Sequence, residues 1–413
     1  MPETSGKILG KISAKISAKT SLETQTQMQK KPIKSGGLYL GVPRETSFQE
    51  KRVALTPSSV SLLVNNGHRV VIETNAGIAA DFQDIQYSEA GAEIAYDLEQ
   101  VFDADAILKV APPTKHEVEM MKMHQIIFSP LNIPTISEEL IRSLMAKKVT
   151  AIAYEYLKDE AGYFPVVRIL GELAGSSTLL IAAQYLSTDF GGKGILLGGI
   201  SALPPTKVVV LGAGVVGEYV TRSAIGLGAD VRVFDNNLYK LMRLQNNLGR
   251  RIYTSSIMPD VLQKELENAD VVVGAIHSES GRSPCVVTEE MISTMQKGSV
   301  VIDVSIDQGG CFETSEICSH NKPFFKKHGV IHYCVPNMLA RIPQTASSAF
   351  SNVITTILLQ ASDDGGFDKF FNRSRGTRNG IYVYKGILTN EFLSDRFTIK
   401  FTNLDLLITA SYL

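Results

Sequence analysis

Residues 207–235 read KVVVLGAGVVGEYVTRSAIGLGADVRVFD: a strand, a glycine turn, a helix and a second strand ending in an acid. Lys207 to Leu211 is a short β-branched run suited to a buried parallel strand. Gly212, Gly214 and Gly217 then give G-x-G-x-x-G. The first glycine permits the tight turn, the second lets the backbone approach a pyrophosphate, and the third lets the helix close onto the strand. Val215 and Val216 lie between the last two glycines, where free N–H groups of the helix start can receive phosphate oxygens. Asp235 stands eighteen positions after Gly217, at the end of the next strand. A carboxylate there accepts hydrogen bonds from the adenosine ribose and repels a 2′-phosphate. Asn236 and Asn237 follow it with no arginine, so the stretch predicts NAD rather than NADP.

A glycine turn alone is weak evidence. Its place here, after a strand, opening a helix and followed by strand plus Asp, makes the dinucleotide reading specific. The 413 residues suffice for two or three domains and a large core. A formal net charge of −1 gives no electrostatic case for nucleic acid or an anionic membrane. No uninterrupted apolar run of transmembrane length occurs. Cys285, Cys311, Cys318 and Cys334 lack framework spacing and read as reduced thiols of a cytoplasmic protein. His328, His332 and Cys334 lie close in sequence, but no second ligand cluster completes a metal site, and no metal is expected.

The first 36 residues are rich in Lys, Ser, Gln and Thr, with Ile8, Ile12 and Ile16 recurring every four positions. They read as a flexible arm, with ordering against a neighbouring subunit as the alternative. From Leu38 onward, strands are expected at 38–43, within 67–77, and at 104–110, 125–129 and 150–154, separated by helices at 58–66, 117–122 and 136–147. A long apolar helix over 166–188 leads into the glycine turn. Further βα units follow in DVVVGAI, GSVVIDVS and GVIHYCVP, and helix resumes over 347–360. The expected fold is α/β, with two Rossmann-like domains built on parallel sheets. The nucleotide domain (165–343) is inserted in a substrate domain made of 37–164 and a mainly helical return over 344–413.

Several further segments occur in one order: GVPRETSFQEKRVALTP at 41–57, ILKVAPP at 107–113, IAYE at 152–155, GAGVVG at 212–217, IDVSIDQGGCFE at 302–313 and YCVPNM at 333–338. This set resembles the alanine dehydrogenase and transhydrogenase alpha-subunit family, from about residue 38 to the C-terminus, and its last two segments look like soluble alanine dehydrogenase. The resemblance implies NAD-dependent, reversible deamination of L-alanine to pyruvate and ammonium by a homo-oligomer, with hexamers common in the family and the long helix as a contact.

Amino-acid deamination needs a clamp for the carboxylate, hydride transfer from Cα, and proton shuttling during imine hydrolysis. Arg52 suits the clamp, because its planar fork can make two hydrogen bonds. Lys109 ends an otherwise apolar strand and is expected to face the cleft with its charge. By resemblance both contact the substrate carboxyl and carbonyl groups. Asp307 sits in the turn made by Gln308, Gly309 and Gly310. By resemblance it faces nicotinamide and substrate and moves a proton or orders water. Asp303 competes for that role but is expected to lie on the strand. Asn337 and Met338 resemble nicotinamide-side residues, with Asn337 offering an amide to cofactor or substrate. Tyr154 and Glu155 resemble residues at the substrate cleft, although a packed Tyr beside a solvated Glu reads nearly as well. Glu172 reads as a structural partner across the domains.

Asn132 departs from the family pattern. Alanine dehydrogenases carry a proton-transferring histidine at the position it occupies. Asn can hydrogen-bond a carbonyl but cannot titrate. Either Asp307 and water take over the proton work, or the substrate differs, or turnover is weak. Three readings follow: an alanine dehydrogenase-like enzyme, the NAD-binding component of a proton-translocating transhydrogenase, and a non-catalytic NAD-binding protein.

Overall fold

The computed structural model describes residues 37–410 except 134–135 and 279–280, so the N-terminal arm lies outside the described residues. The chain builds two sheets. Early strands of the first are β1 (Tyr39–Val42), β2 (Arg69–Glu73), β3 (Glu93–Ala95), β4 (Ala106–Leu108), β5 (Ile126–Ser129) and β6 (Thr150–Ala153). The second contains β7 (Lys207–Leu211), β8 (Asp230–Phe234), β9 (Tyr253–Ser255), β10 (Val271–Gly274), β11 (Val300–Asp303), β12 (Phe324–Lys327) and β13 (Val330–Tyr333). The chain then returns to the first sheet with β14 (Ile381–Tyr384) and β15 (Ile387–Leu388).

The first sheet has the order β15-β14-β6-β5-β4-β1-β2-β3, and the second β12-β13-β11-β10-β7-β8-β9. Both are doubly wound: the first strand of each lies centrally, and the order reverses between β1 and β4 and between β7 and β10. The strands are parallel except β12, β14 and β15, which pair antiparallel with their neighbours. In open sheets of this kind, ligands bind beyond the carboxyl ends of the strands at the reversal point.

Central strands are apolar on both faces because helices cover both faces. Val208, Val209, Val210 and Leu211 are all fully buried, each contributing roughly 1.5–3 kcal/mol. The return segment is mainly helical, and it also adds β14 against β6 and pairs β15 with β14. β14 (IYVY) stands among helices, outside the strand–helix alternation that marks the other strands. β3 (EIA) and β9 (YTS) lie at the sheet edges, where partly exposed polar residues leave no apolar run to read.

Two long helices join the sheets. Helix α1 (Pro165–Tyr185) packs along α2 (Val215–Gly226), the helix opened by the glycine turn, and also touches α3 (Pro343–Asp363). Gly175 makes the α1–α2 contact possible: a Cβ there would lie 2.5 Å from the Val216 carbonyl oxygen. Helix α3 starts at Pro343, earlier than the expected 347, because proline fits a first helical turn whose N–H groups have no partner anyway. By length and composition α1 could cross a membrane, but 44% of its apolar window is buried inside the protein. Its charges Arg168 and Glu172 pair with each other at 3.0 Å, one turn apart, and Tyr219 of α2 hydrogen-bonds Glu172.

Candidate active site

The glycine turn follows β7 and lies beside the loop after β10. Gly212 has φ 105°, and an added Cβ would meet the Ala275 carbonyl oxygen at 2.4 Å. At Gly217 a Cβ would stand 1.9 Å from the Gly212 carbonyl oxygen. Gly214 differs: nothing lies within 4 Å of its Cβ position. Two glycines therefore serve the fold, while the third opens onto empty space. That space is a pocket of about 670 Å³ lined by Gly212, Gly214, Asp235, Tyr239, Ile276 and their neighbours. Asp235 follows β8, with its Oδ2 accepting from Ala213 N at 2.7 Å and its Oδ1 from Asn237 N at 2.7 Å. The acid thus fixes the glycine turn as well as the pocket wall. Val215 and Val216 turn their side chains toward Gly171 of α1; as the first residues of α2 they have N–H groups with no partner inside the helix.

The first sheet carries an ion cluster at its own reversal point. Lys109, immediately after β4, does not face an open cleft; it is 1% exposed. Its Nζ reaches Glu45 at 2.9 Å and Glu117 at 2.8 Å. The unforeseen partners are these two carboxylates, because a lysine that ends an apolar strand needs buried counter-charge once the chain covers it. Glu45 comes from the loop after β1 and also accepts from the backbone N of Val110 and Ala111. Complete burial raises its carboxyl pKa despite Lys109.

Arg52 follows in the same loop. Its Nε and Nη2 donate to the two oxygens of Glu50 at 2.8 and 2.6 Å. Among the described residues Nη1 has no acceptor, so that edge of the fork remains for a ligand. Tyr154 is packed, with its hydroxyl donating to Val110 O at 2.7 Å.

Asp303 ends β11 and is 1% exposed. It caps the following turn through Ser305 N (3.0 Å), holds Cys311 N (3.0 Å) and accepts from Ser315 Oγ (2.6 Å). Those bonds shape the loop that presents Asp307. Asp307 is open to the cleft at its surface, yet protein crowds around it from both sheets. Desolvation pushes its carboxyl up to about 6, against the Asn337 amide and the Arg52 charge. Asn337, after β13, donates its backbone N to Asp307 Oδ1 at 3.2 Å and its side-chain Nδ2 to Glu50 Oε2 at 2.7 Å. Asp307, Asn337, Glu50 and Arg52 thus form one chain of contacts between the two sheets. Met338 is buried, with Thr178 Oγ1 4.0 Å from its sulfur, so its side chain packs against α1.

Asn132 lies in the loop after β5 at φ 46°, a left-handed conformation that Asn tolerates. Its backbone N donates to Glu155 Oε1 at 3.3 Å, and Leu131 N donates to the same oxygen at 2.6 Å. Glu155 is not the solvated acid of the alternative reading. Its Oε2 is buried without a hydrogen-bond partner, and desolvation pushes the carboxyl up to about 7.

Residues 41–174 match the N-terminal domain, and residues 178–391 the C-terminal domain, of a family described as alanine dehydrogenase/PNT. The chain belongs to the alanine dehydrogenase/PNT family. Alanine dehydrogenase 2 of Staphylococcus aureus (strain USA300) is 36% identical over 367 residues, covering 89% of this chain and 98% of that protein. A solved L-alanine dehydrogenase superposes with a TM-score of 0.81 at 35% identity, covering 87% of this chain and 99% of its own. A transhydrogenase from Sinorhizobium meliloti shares the fold, with a TM-score of 0.72 at 24% identity over 85% of this chain and 99% of its own. Both sheets and their connection are therefore the architecture of this family.

Sequence reading overlooked Glu45, Glu50 and Glu117 because each is a common acid in a polar stretch. The signal available was the pairing requirement itself: Lys109 and Arg52, set among buried segments, must each find a carboxylate.

Proposed function

We propose that the protein catalyses the reversible, NAD-dependent oxidative deamination of L-alanine to pyruvate and ammonium. The observation that supports this most is the line of contacts from Asp307 through Asn337 and Glu50 to Arg52, which joins the carboxyl ends of the two sheets. It sets a carboxylate clamp opposite a titratable acid. The glycine turn fits a dinucleotide: Gly214 leaves open space beside the free N–H groups of the α2 start, and Asp235 lines the adjoining pocket.

NAD, when bound, supplies a nicotinamide that can accept a hydride from the substrate Cα. The protein's own residues do the rest. Arg52 holds the substrate carboxylate through its Nη1 edge. Lys109, buried between Glu45 and Glu117, ties down the loop that carries Arg52. Asn132 offers its amide to that oxygen. Asp307 accepts the proton of the water that adds to the imine carbon, and releases it as ammonia departs as ammonium. At alkaline pH Asp307, with its pKa of about 6, is ionised and able to do so. Association of several copies belongs to the same reading, supported by exposed apolar side chains on α1, with Leu180 71% exposed.

The test is NADH formation from L-alanine and NAD by the purified protein at alkaline pH; no rate above the blank overturns the proposal. Asn132, which cannot titrate, supports a second reading, a non-catalytic NAD-binding protein. That reading predicts NADH binding without turnover of any amino or keto acid.

A further inference from the structure

Glu50 is the most heavily engaged acid in the cleft. Its side chain is 3% exposed. Oε1 accepts from Arg52 Nε at 2.8 Å and from the backbone N of Arg52 at 2.9 Å and of Lys51 at 3.0 Å. Oε2 accepts from Arg52 Nη2 at 2.6 Å and from Asn337 Nδ2 at 2.7 Å. Burial alone would push the Glu50 carboxyl up, but Arg52, and then Asn337, hold it below the usual carboxylate range, so it stays charged. Asn337 is held in turn by the second sheet: its N donates to Asp307 at 3.2 Å, and its carbonyl meets His320 Nε2 at 3.3 Å.

A free arginine side chain loses rotamer entropy when it grips a ligand. An arginine whose Nε edge is already locked gives up less on gripping a ligand with Nη1. That lock is completed from the second sheet, at the strand ends where a dinucleotide would seat. We propose that Glu50 is a positioning residue that transmits dinucleotide binding, through Asn337, to the grip of Arg52 on the substrate carboxylate. The inference rests on the function proposed above. A dinucleotide that orders the 307 and 337 turns fixes the Asn337 amide, which fixes Glu50, which fixes the fork. By linkage the carboxylate ligand strengthens dinucleotide binding by the same factor.

Gln49 provides a comparison one contact removed. Its Oε1 accepts from His320 N at 2.8 Å, a second contact between the sheets that touches neither Glu50 nor Arg52 and reaches Asn337 only through the His320 ring at 3.3 Å. The experiment is calorimetric titration of pyruvate into the full-length protein in ammonium-free buffer, with and without saturating NADH. The quantity read is the ratio of the two affinities rather than either affinity. Wild type is expected to bind pyruvate at least ~5-fold more tightly with NADH. Glu50→Gln should bring the ratio to within about twofold of unity with NADH affinity unchanged, and Gln49→Ala should lower it less. Asn337→Ala breaks the link from the other end and decides the matter if the Glu50 variant fails to fold. Wild-type protein that does not bind pyruvate with NADH overturns the alanine dehydrogenase reading, and this inference with it. Pyruvate binding with an undiminished ratio in both Glu50→Gln and Asn337→Ala, or equal loss in Gln49→Ala, overturns this inference alone.

Discussion

The three glycines of the turn after β7 should separate folding from dinucleotide binding. Gly214→Ala places a methyl group where no atom lies within 4 Å, at φ −73° and ψ −166°, which alanine adopts without strain. Reduced freedom of the unfolded chain stabilises the variant by about 0.4–1 kcal/mol. Gly214 is also the N-cap of α2, where alanine is worse than glycine by a similar amount. The two effects nearly cancel, so stability should stay within about 1 kcal/mol of wild type. The methyl group does occupy the side from which a pyrophosphate approaches. Losing a hydrogen bond to a charged group costs about 1.5–3 kcal/mol, or roughly 10- to 150-fold in NADH affinity. Gly217→Ala is the opposite case. Its Cβ would overlap the Gly212 carbonyl oxygen at 1.9 Å, and backbone cannot swing aside as a side chain can. It should cost about 3 kcal/mol or more. Urea denaturation followed by circular dichroism, with NADH titration by fluorescence, measures both quantities. NADH affinity within twofold of wild type in Gly214→Ala, or equal destabilisation by the two substitutions, would show that the glycines do not divide these roles.

Lys109→Met should destabilise by roughly 3–5 kcal/mol, because Glu45 and Glu117 lose their shared cation. The deficit in urea melts should widen as pH rises through the carboxylate range, and a deficit independent of pH would count against the ion cluster. Glu155, with a folded pKa of about 7 against ~4.3 unfolded, binds more protons folded than unfolded between those values. Its contribution is present below ~4.3 and is lost as pH climbs through about 7. Glu155→Gln cannot titrate, so it should gain on wild type in melting temperature between pH ~5 and ~8; a constant gap would show that Glu155 is not perturbed. Asn132→His should raise alanine turnover by supplying a titratable group, within the ~10²–10⁴-fold range of general acid–base catalysis. An unchanged kcat would leave the proton work with Asp307. Asp235→Ala should weaken NAD binding more than tenfold, since a charge-assisted contact is worth about 1.5–3 kcal/mol; an unaltered Michaelis constant would remove Asp235 from the site.

Features that depend only on neighbouring residues are legible in the chain before it folds. The G-x-G-x-x-G turn was legible because positive φ at Gly212 and the missing Cβ at Gly217 are local demands that only glycine meets. The doubly wound class was legible because buried parallel strands are apolar runs between helices. Which charges meet is settled by the fold. Glu45 reaches Lys109 across 64 positions, and Asn337 reaches Glu50 across 287. Those pairings depend on strand order, which sets both partners at the carboxyl ends of the sheets. Lys109 therefore turned out to be buried between carboxylates rather than open to the cleft, and Glu155 a desolvated acid beneath Asn132. An acidic side chain looks alike in any polar stretch of sequence; its pKa and its partner arise only once distant segments remove water from around it.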